Sequence, residues 1–204
     1  MGVVTLGIFG GTFDPIHNGH LAVARAAKAQ LRLDRVVFVP VGTPPHKRWQ
    51  PVTPAEHRWQ MVSLAVADTP GFAVSRVDID RPAPQYSVDT VRLLRREFGT
   101  AAEDTFFIIG ADALGNFPRW KDAAGIVAQC RIAAVHRPGF RPDVQSVLAA
   151  VPRLKSRLVW VEMSPVPVSA TEIRQRVGQG LPIVDMVPPA VAAYIARHRL
   201  YVNE

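Results

Sequence analysis

Each apolar run of strand length in this chain is followed by a short segment rich in glycine or polar residues, and then by a helical pattern. The runs are Val3–Phe9, Arg35–Val41, Phe72–Val77, Thr105–Ile109, Arg131–Val135 and Leu158–Val161. Near-continuous Val, Ile and Phe without strict alternation marks strands covered on both faces, and the interleaved helices supply that cover. The order strand, helix, strand, helix predicts an α/β fold built on a parallel sheet.

Such a sheet is of the doubly wound, Rossmann-like kind, and 204 residues suffice for one such domain. Ligands bind it outside the carboxyl ends of the strands, where strand order reverses. The segments Gly10–His20, Thr43–Arg48, Gly110–Asp112 and His136–Gly139 all follow strands, so they are expected to meet on one edge.

Helix signals fit the gaps. Helices are expected over Gly19–Leu31 with Asn18 as cap, and from Thr53-Pro54-Ala55-Glu56, which reads as a capping box, to about Ala67. A third begins at Ser87 as cap and stops at Phe98-Gly99. Short helices follow Asp112 and end at Gln129, and another covers Asp143–Ala150. The helix opening at Val168-Ser169-Ala170-Thr171 ends near Gly178 or Gly180, and the last covers Pro189–Arg197.

The first of these junctions carries the most chemistry. Gly10-Gly11 lets backbone approach a ligand, and His17 and His20 follow, three residues apart. With a helix starting near Asn18, both imidazoles share one face beside first-turn amides and the positive end of the helix dipole. That combination suits a polyphosphate.

Composition removes whole classes of alternative. At 48% hydrophobic and 20% charged the chain reads as globular and soluble. No apolar run approaches the roughly 18 residues of a membrane helix, and no basic segment precedes an apolar one at the N-terminus. No membrane partner is expected. The single cysteine, Cys130, excludes an internal disulfide and indicates a cytoplasmic chain. A net charge of +7 permits a nucleic-acid partner, but the basic residues are dispersed, and a site for anionic nucleotides explains the excess as well. No nucleic-acid partner is therefore expected. Homo-oligomerisation is left open.

The sequence has no Walker phosphate loop, no Gly-x-Gly-x-x-Gly fingerprint, no Gly-x-Ser-x-Gly elbow and no zinc-type cluster. What remains is a sheet edge with paired histidines, a lysine-bearing loop, an arginine after strand five and an arginine in Ser169-Ala170-Thr171-x-x-Arg174. These stabilise phosphate charge, and none is an obvious general base. The chemistry that fits is attack by an ionised phosphate on the α-phosphorus of a nucleoside triphosphate. Mg²⁺ on the triphosphate would need few protein ligands, and no protein metal site is expected.

The segment Gly10-Gly-Thr-Phe-Asp-Pro-Ile-His-Asn-Gly-His20 resembles the signature of the nucleotidylyltransferase superfamily. Within it, Pro44-Pro-His-Lys47, Tyr86-Ser-Val-Asp-Thr90, Ile108-Ile-Gly-Ala-Asp112 with Trp120, and Ser169–Arg174 are similar to the bacterial nicotinate-nucleotide adenylyltransferases. The resemblance implies adenylyl transfer from ATP to nicotinate mononucleotide, giving deamido-NAD and pyrophosphate. It implies catalytic roles for His17, His20, Lys47 and Arg174. ATP would lie against Gly10, Gly11, Thr12, Phe13, His17, His20, Ser169, Thr171 and Arg174. The pyridine nucleotide would lie against His46, Lys47, Ser87, Thr90, Gly110, Asp112, Trp120 and Arg137, with Trp120 stacked on the ring and main-chain amides near Ser87 and Trp120 reading the carboxylate. Residues 165–204 would complete the nucleotide site.

Two departures stand out: Ala170 where a second serine is usual, and Ser87 where threonine is commoner. Rival readings are an adenylyltransferase for nicotinamide mononucleotide or phosphopantetheine, a nucleotide sensor without turnover, and an RNA-binding surface.

Overall fold

The computed structural model describes residues 4–43, 52–136 and 142–202. Six strands form one parallel sheet: β1 Leu6–Gly11, β2 Arg35–Pro40, β3 Phe72–Val74, β4 Thr105–Gly110, β5 Arg131–Val135 and β6 Leu158–Val161. Their order across the sheet is β3-β2-β1-β4-β5-β6. This is the doubly wound order, and the chain reverses direction across the sheet between β1 and β4.

Eight α-helices are described: α1 Asn18–Gln30, α2 Ala55–Val66, α3 Ser87–Phe98, α4 Ala111–Asn116, α5 Ala123–Gln129, α6 Val144–Ala150, α7 Ala170–Gly178 and α8 Pro189–Arg197. Alternate strand residues feed two cores. Val36, Phe38, Phe106, Ile108, Ala133 and Val135 pack towards α1, α2, α7 and α8. Val37, Val39, Phe107, Ile109, Ile132 and Ala134 pack towards α3, α5 and α6. Apolar residues on both faces of every central strand are the physical reason the strands lack polar alternation.

The strand and helix expectations hold, with boundary shifts that have causes. The first strand was expected to break at Gly10-Gly11. Instead it keeps pairing with β2, Gly10 opposite Val39 and Gly11 opposite Pro40, while its pairing with β4 ends at Ile8 opposite Phe107. The two central strands therefore part at their carboxyl ends, which opens a crevice at the switch point.

The expected cap of α1, Asn18, is already helical. His17 occupies the cap position in extended backbone, and the Asn18 side chain instead donates to the Asp185 carbonyl at 3.0 Å. The Thr53 capping box does not form. Thr53 N–H donates to Asp14 Oδ2 and its carbonyl accepts from Arg58, and Pro54 takes the cap position. Ser87 opens α3 as its first helical residue, with Tyr86 at the cap. β3 stops at Val74, because residues 76–80 turn back on the Arg76 carbonyl. Gly99 ends α3 at φ 64, the left-handed conformation glycine adopts at least cost.

Candidate active site

The crevice between β1 and β4 continues into a cavity of about 550 Å³ lined by Gly10, Gly11, Thr12, Ser87, Thr90 and Trp120, with Arg119 and Lys121 also in its wall. That volume suits a nucleotide-sized ligand. A second hollow, of about 750 Å³, is lined by Asp14, Thr53, Thr171, Arg174 and Tyr201. Thr12 belongs to the first and Asp14 to the second, so the loop leaving β1 separates them.

The two histidines stand where that loop enters α1, His17 at the cap and His20 in the first turn. The His17 backbone N–H donates to His20 Nδ1 at 3.3 Å. This is the half of a capping box in which the third helical side chain reaches back to the cap, here with histidine in place of a carboxylate. With Nδ1 accepting, neutral His20 carries its proton on Nε2, which becomes a donor. The His20 ring is stacked on His17 with centroids 3.7 Å apart, and meets Phe13 edge-on at 5.1 Å. Phe13 is itself buried, with φ 49, an uncommon backbone conformation for a bulky residue. Its buried ring supports His20 from the core.

α7 starts beside this loop. The Val168 carbonyl lies 3.7 Å from where a Cβ on Gly19 would stand. Ser169 caps α7, its Oγ accepting from Glu172 N–H at 3.2 Å, which leaves the hydroxyl proton to donate. Arg174 Nη1 donates to the Asp14 carbonyl at 2.7 Å, and its Nη2 reaches the Thr171 hydroxyl at 3.4 Å. The starts of α1 and α7, two imidazoles and one guanidinium thus gather around one loop, an arrangement that stabilises clustered negative charge.

In the other cavity, Trp120 is half-buried and packs edge-on against Phe107 at 5.9 Å and beside Phe117 at 5.4 Å. Its backbone N–H donates to the Phe117 carbonyl, and the Asp89 and Thr90 N–H groups donate to the Tyr86 carbonyl, so the first-turn amides of α3 without an intrahelical acceptor beside this cavity are those of Ser87 and Val88. Ser87 lies in that turn, and its hydroxyl does not cap the helix. The Thr90 hydroxyl faces the wall, donating to Asp78 Oδ1 at 2.8 Å. Burial holds the Asp78 carboxyl above its ordinary pKa, opposed only in part by the nearby Arg81 charge and the Thr90 bond. Gly110 ends β4 and Asp112 sits exposed in the first turn of α4, and neither lines the cavity. His46, Lys47 and Arg137 lie outside the described residues. A groove of about 830 Å³ between α2 and α8 contains none of the expected site residues.

Three site-building residues escaped the sequence reading. Arg58 is 1% exposed and donates to three carbonyls: Thr53 at 2.8 Å, Thr12 at 2.7 Å and Gly42 at 2.8 Å. Burial works against its charge and the Asp14 carboxylate works for it. Gly42 must be glycine, since a Cβ would stand 2.6 Å from the Asp78 carbonyl, and Gln85 holds the next amide, of Thr43, at 3.2 Å. The signal for Arg58 was present: it falls on the helical stripe with Met61, Val62 and Ala65, where a charge is out of place. Asp14 looks like a turn residue before proline but is 5% exposed and fully engaged. Tyr201, near the end of the chain, donates to Asp14 Oδ1 at 2.7 Å and had no local signal.

The family model for cytidylyltransferase-like proteins matches residues 8–176. A protein of Roseiflexus sp. named "probable nicotinate-nucleotide adenylyltransferase" is 45% identical over 201 residues, covering 98% of this chain and 100% of that protein. A Thermus thermophilus protein of the same name is 45% identical over 196 residues, covering 96% and 98%. The structure of Plasmodium falciparum nicotinic acid mononucleotide adenylyltransferase complexed with NaAD superposes with a TM-score of 0.76 at 17% identity, covering 97% of each chain. That likeness bears on the fold. Family match and near full-length identity together place the chain in the cytidylyltransferase-like family, among the nicotinate-nucleotide adenylyltransferases.

Proposed function

We propose that this chain transfers the adenylyl group of ATP to nicotinate mononucleotide, forming deamido-NAD and releasing pyrophosphate, as a cytoplasmic step of NAD biosynthesis. The observation that carries the reading is the parting of β1 from β4 into a crevice with a triphosphate-type cluster on one side and a mononucleotide-sized aromatic cavity on the other. The near full-length relatives support the same reading.

The reaction needs no strong base. The acceptor's phosphate monoester, with a second pKa near ~6, is already largely dianionic at neutral pH. Its oxygen forms a bond to the α-phosphorus as the bond from that phosphorus to the bridging oxygen of pyrophosphate breaks. Negative charge grows on the leaving group. His20 Nε2–H, His17, Arg174 and the amides at the starts of α1 and α7 stabilise that charge. Gly10, Gly11, Thr12 and the main chain at Phe13 bring backbone to ATP, with Ser169 and Thr171 closing from α7. The α7 and α8 segment, within 165–204, completes this side. Lys47, with His46, contacts phosphate from the loop after β2.

On the acceptor side Trp120 stacks on the pyridine ring and the α3 start receives the carboxylate. Thr90 acts through Asp78. Gly110, Asp112 and Arg137 complete the edge after β4 and β5. Mg²⁺ enters with ATP, whose phosphate oxygens are the hard donors it prefers. Among the described residues no three His, Cys, Asp or Glu side chains gather into a metal-binding group.

The test is pyrophosphate release from ATP with nicotinate mononucleotide, for wild type and His20→Ala. Loss of one preorganised donor should lower kcat by about 100- to 1000-fold. A folded variant with unchanged kcat would remove His20 from the mechanism.

A further inference from the structure

Three distant parts of the chain converge on one buried residue. Asp14 receives the Tyr201 hydroxyl on Oδ1 at 2.7 Å and Thr53 N–H on Oδ2 at 3.2 Å, while its carbonyl receives Arg174 Nη1 at 2.7 Å. The side chain thus holds the C-terminal segment and the start of the second helical unit, and the main chain holds the arginine of α7. The segment pays for this contact in backbone strain: Arg199 and Tyr201 both have left-handed φ, of 50 and 64. Burial, and then the Asp14 charge, push the Tyr201 phenol well above its ordinary pKa, so it stays a donor.

We propose that Tyr201 is a positioning residue for adenylyl transfer. Its hydroxyl satisfies the Asp14 carboxylate, so the Arg174 guanidinium remains on the Asp14 carbonyl and free to meet the triphosphate. Without that donor, a buried carboxylate oxygen is left short of a hydrogen bond; Arg58 is already committed to three carbonyls, so the guanidinium at hand to fill it is Arg174, which touches the carbonyl of the same residue. Capture of Arg174 by the Asp14 side chain withdraws it from ATP. The consequence is specific: ATP suffers and the acceptor does not, because Trp120 and the α3 start lie in the other cavity. This inference rests on the proposed function for what Arg174 does.

The test is steady-state kinetics of Tyr201→Phe, Arg174→Ala and the double variant. Phe keeps the ring and removes only the donor. The expected result is a KM for ATP raised about tenfold, a KM for nicotinate mononucleotide within twofold of wild type, and a double variant no worse than Arg174→Ala. Tyr201→Gln, which restores a donor, should recover part of the ATP affinity. Equal rises in both KM values, no change in either, multiplying effects in the double variant, or a Phe variant that does not fold would each overturn the proposal.

Amide exchange without substrates separates this inference from the functional reading. Tyr201→Phe should speed exchange over residues 170–176 and leave α3 unchanged, whether or not the chain turns over nicotinate mononucleotide. Unchanged exchange over 170–176 refutes the positioning role of Tyr201 alone, and absent turnover by wild type refutes the function alone.

Discussion

At the scale of single residues, the site divides into groups proposed to face ligand and groups that hold them. The first kind was legible. His17 and His20, three residues apart after two glycines, meet in the structure as a stacked pair, because the cap and the third helical position are neighbours in any helix start. The second kind was not legible, because its partners are remote: Tyr201 reaches Asp14 across 187 residues, and Arg58 reaches Thr12 across 46. No local pattern encodes such a contact. The holding role of Arg58 can be measured. Arg58→Lys keeps the charge but cannot fork to three carbonyls, and it should lower stability by about 3 kcal/mol in denaturant titrations. Trp120→Ala tests a facing group. Loss of about 1.5 kcal/mol of aromatic stacking should raise the KM for the pyridine nucleotide about tenfold and leave that for ATP little changed. An equal rise for both substrates would assign Trp120 to packing.

At the scale of elements, strands and helices were readable from apolar runs and caps, while their ends moved, by one residue at the starts of α1, α2 and α3, by two at the end of β1 and by three at the end of β3. Thr53 is the clear case. Its sequence context specifies a capping box, yet its amide and carbonyl are taken by Asp14 and Arg58, and the cap passes to Pro54. β1 shows the opposite effect: two glycines expected to end the strand stay paired on one side only, and that one-sided pairing makes the crevice. Where nothing competes, the local rule survives. Ser169 caps α7, and among the described residues no tertiary bond draws its hydroxyl away. Ser169→Ala should cost about 1 kcal/mol in stability, whereas Ser169→Gly should cost only a few tenths, as seen by thermal or chemical unfolding.

At the scale of the whole molecule, the doubly wound parallel sheet followed from the alternation of strand and helix, while most of the loop after β2 and of that after β5, expected to meet the others at one edge, lies outside the described residues. The order in which strands sit in the sheet did not follow from that alternation, since it depends on packing on both faces rather than on any one segment. The two-faced core has a titratable consequence. Cys130 is fully buried, and burial pushes its thiol up to about 12 from an ordinary 9.0. The folded state therefore keeps its proton where the unfolded chain ionises. That contribution is complete below pH 9 and is lost as pH rises towards 12. Over that window it amounts to at most about 4 kcal/mol. Cys130→Ala should be less stable at neutral pH but lose less stability between those pH values, and an identical slope would contradict the burial argument.

The central claim is that one edge of this sheet joins ATP to nicotinate mononucleotide. It is tested most directly by measuring pyrophosphate release with ATP and Mg²⁺ across nicotinate mononucleotide, nicotinamide mononucleotide and phosphopantetheine, with EDTA as control. The expected result is the highest kcat/KM for nicotinate mononucleotide, abolished by EDTA and restored by Mg²⁺. ATP binding without turnover of any acceptor, or a higher kcat/KM for either of the other two, would contradict it.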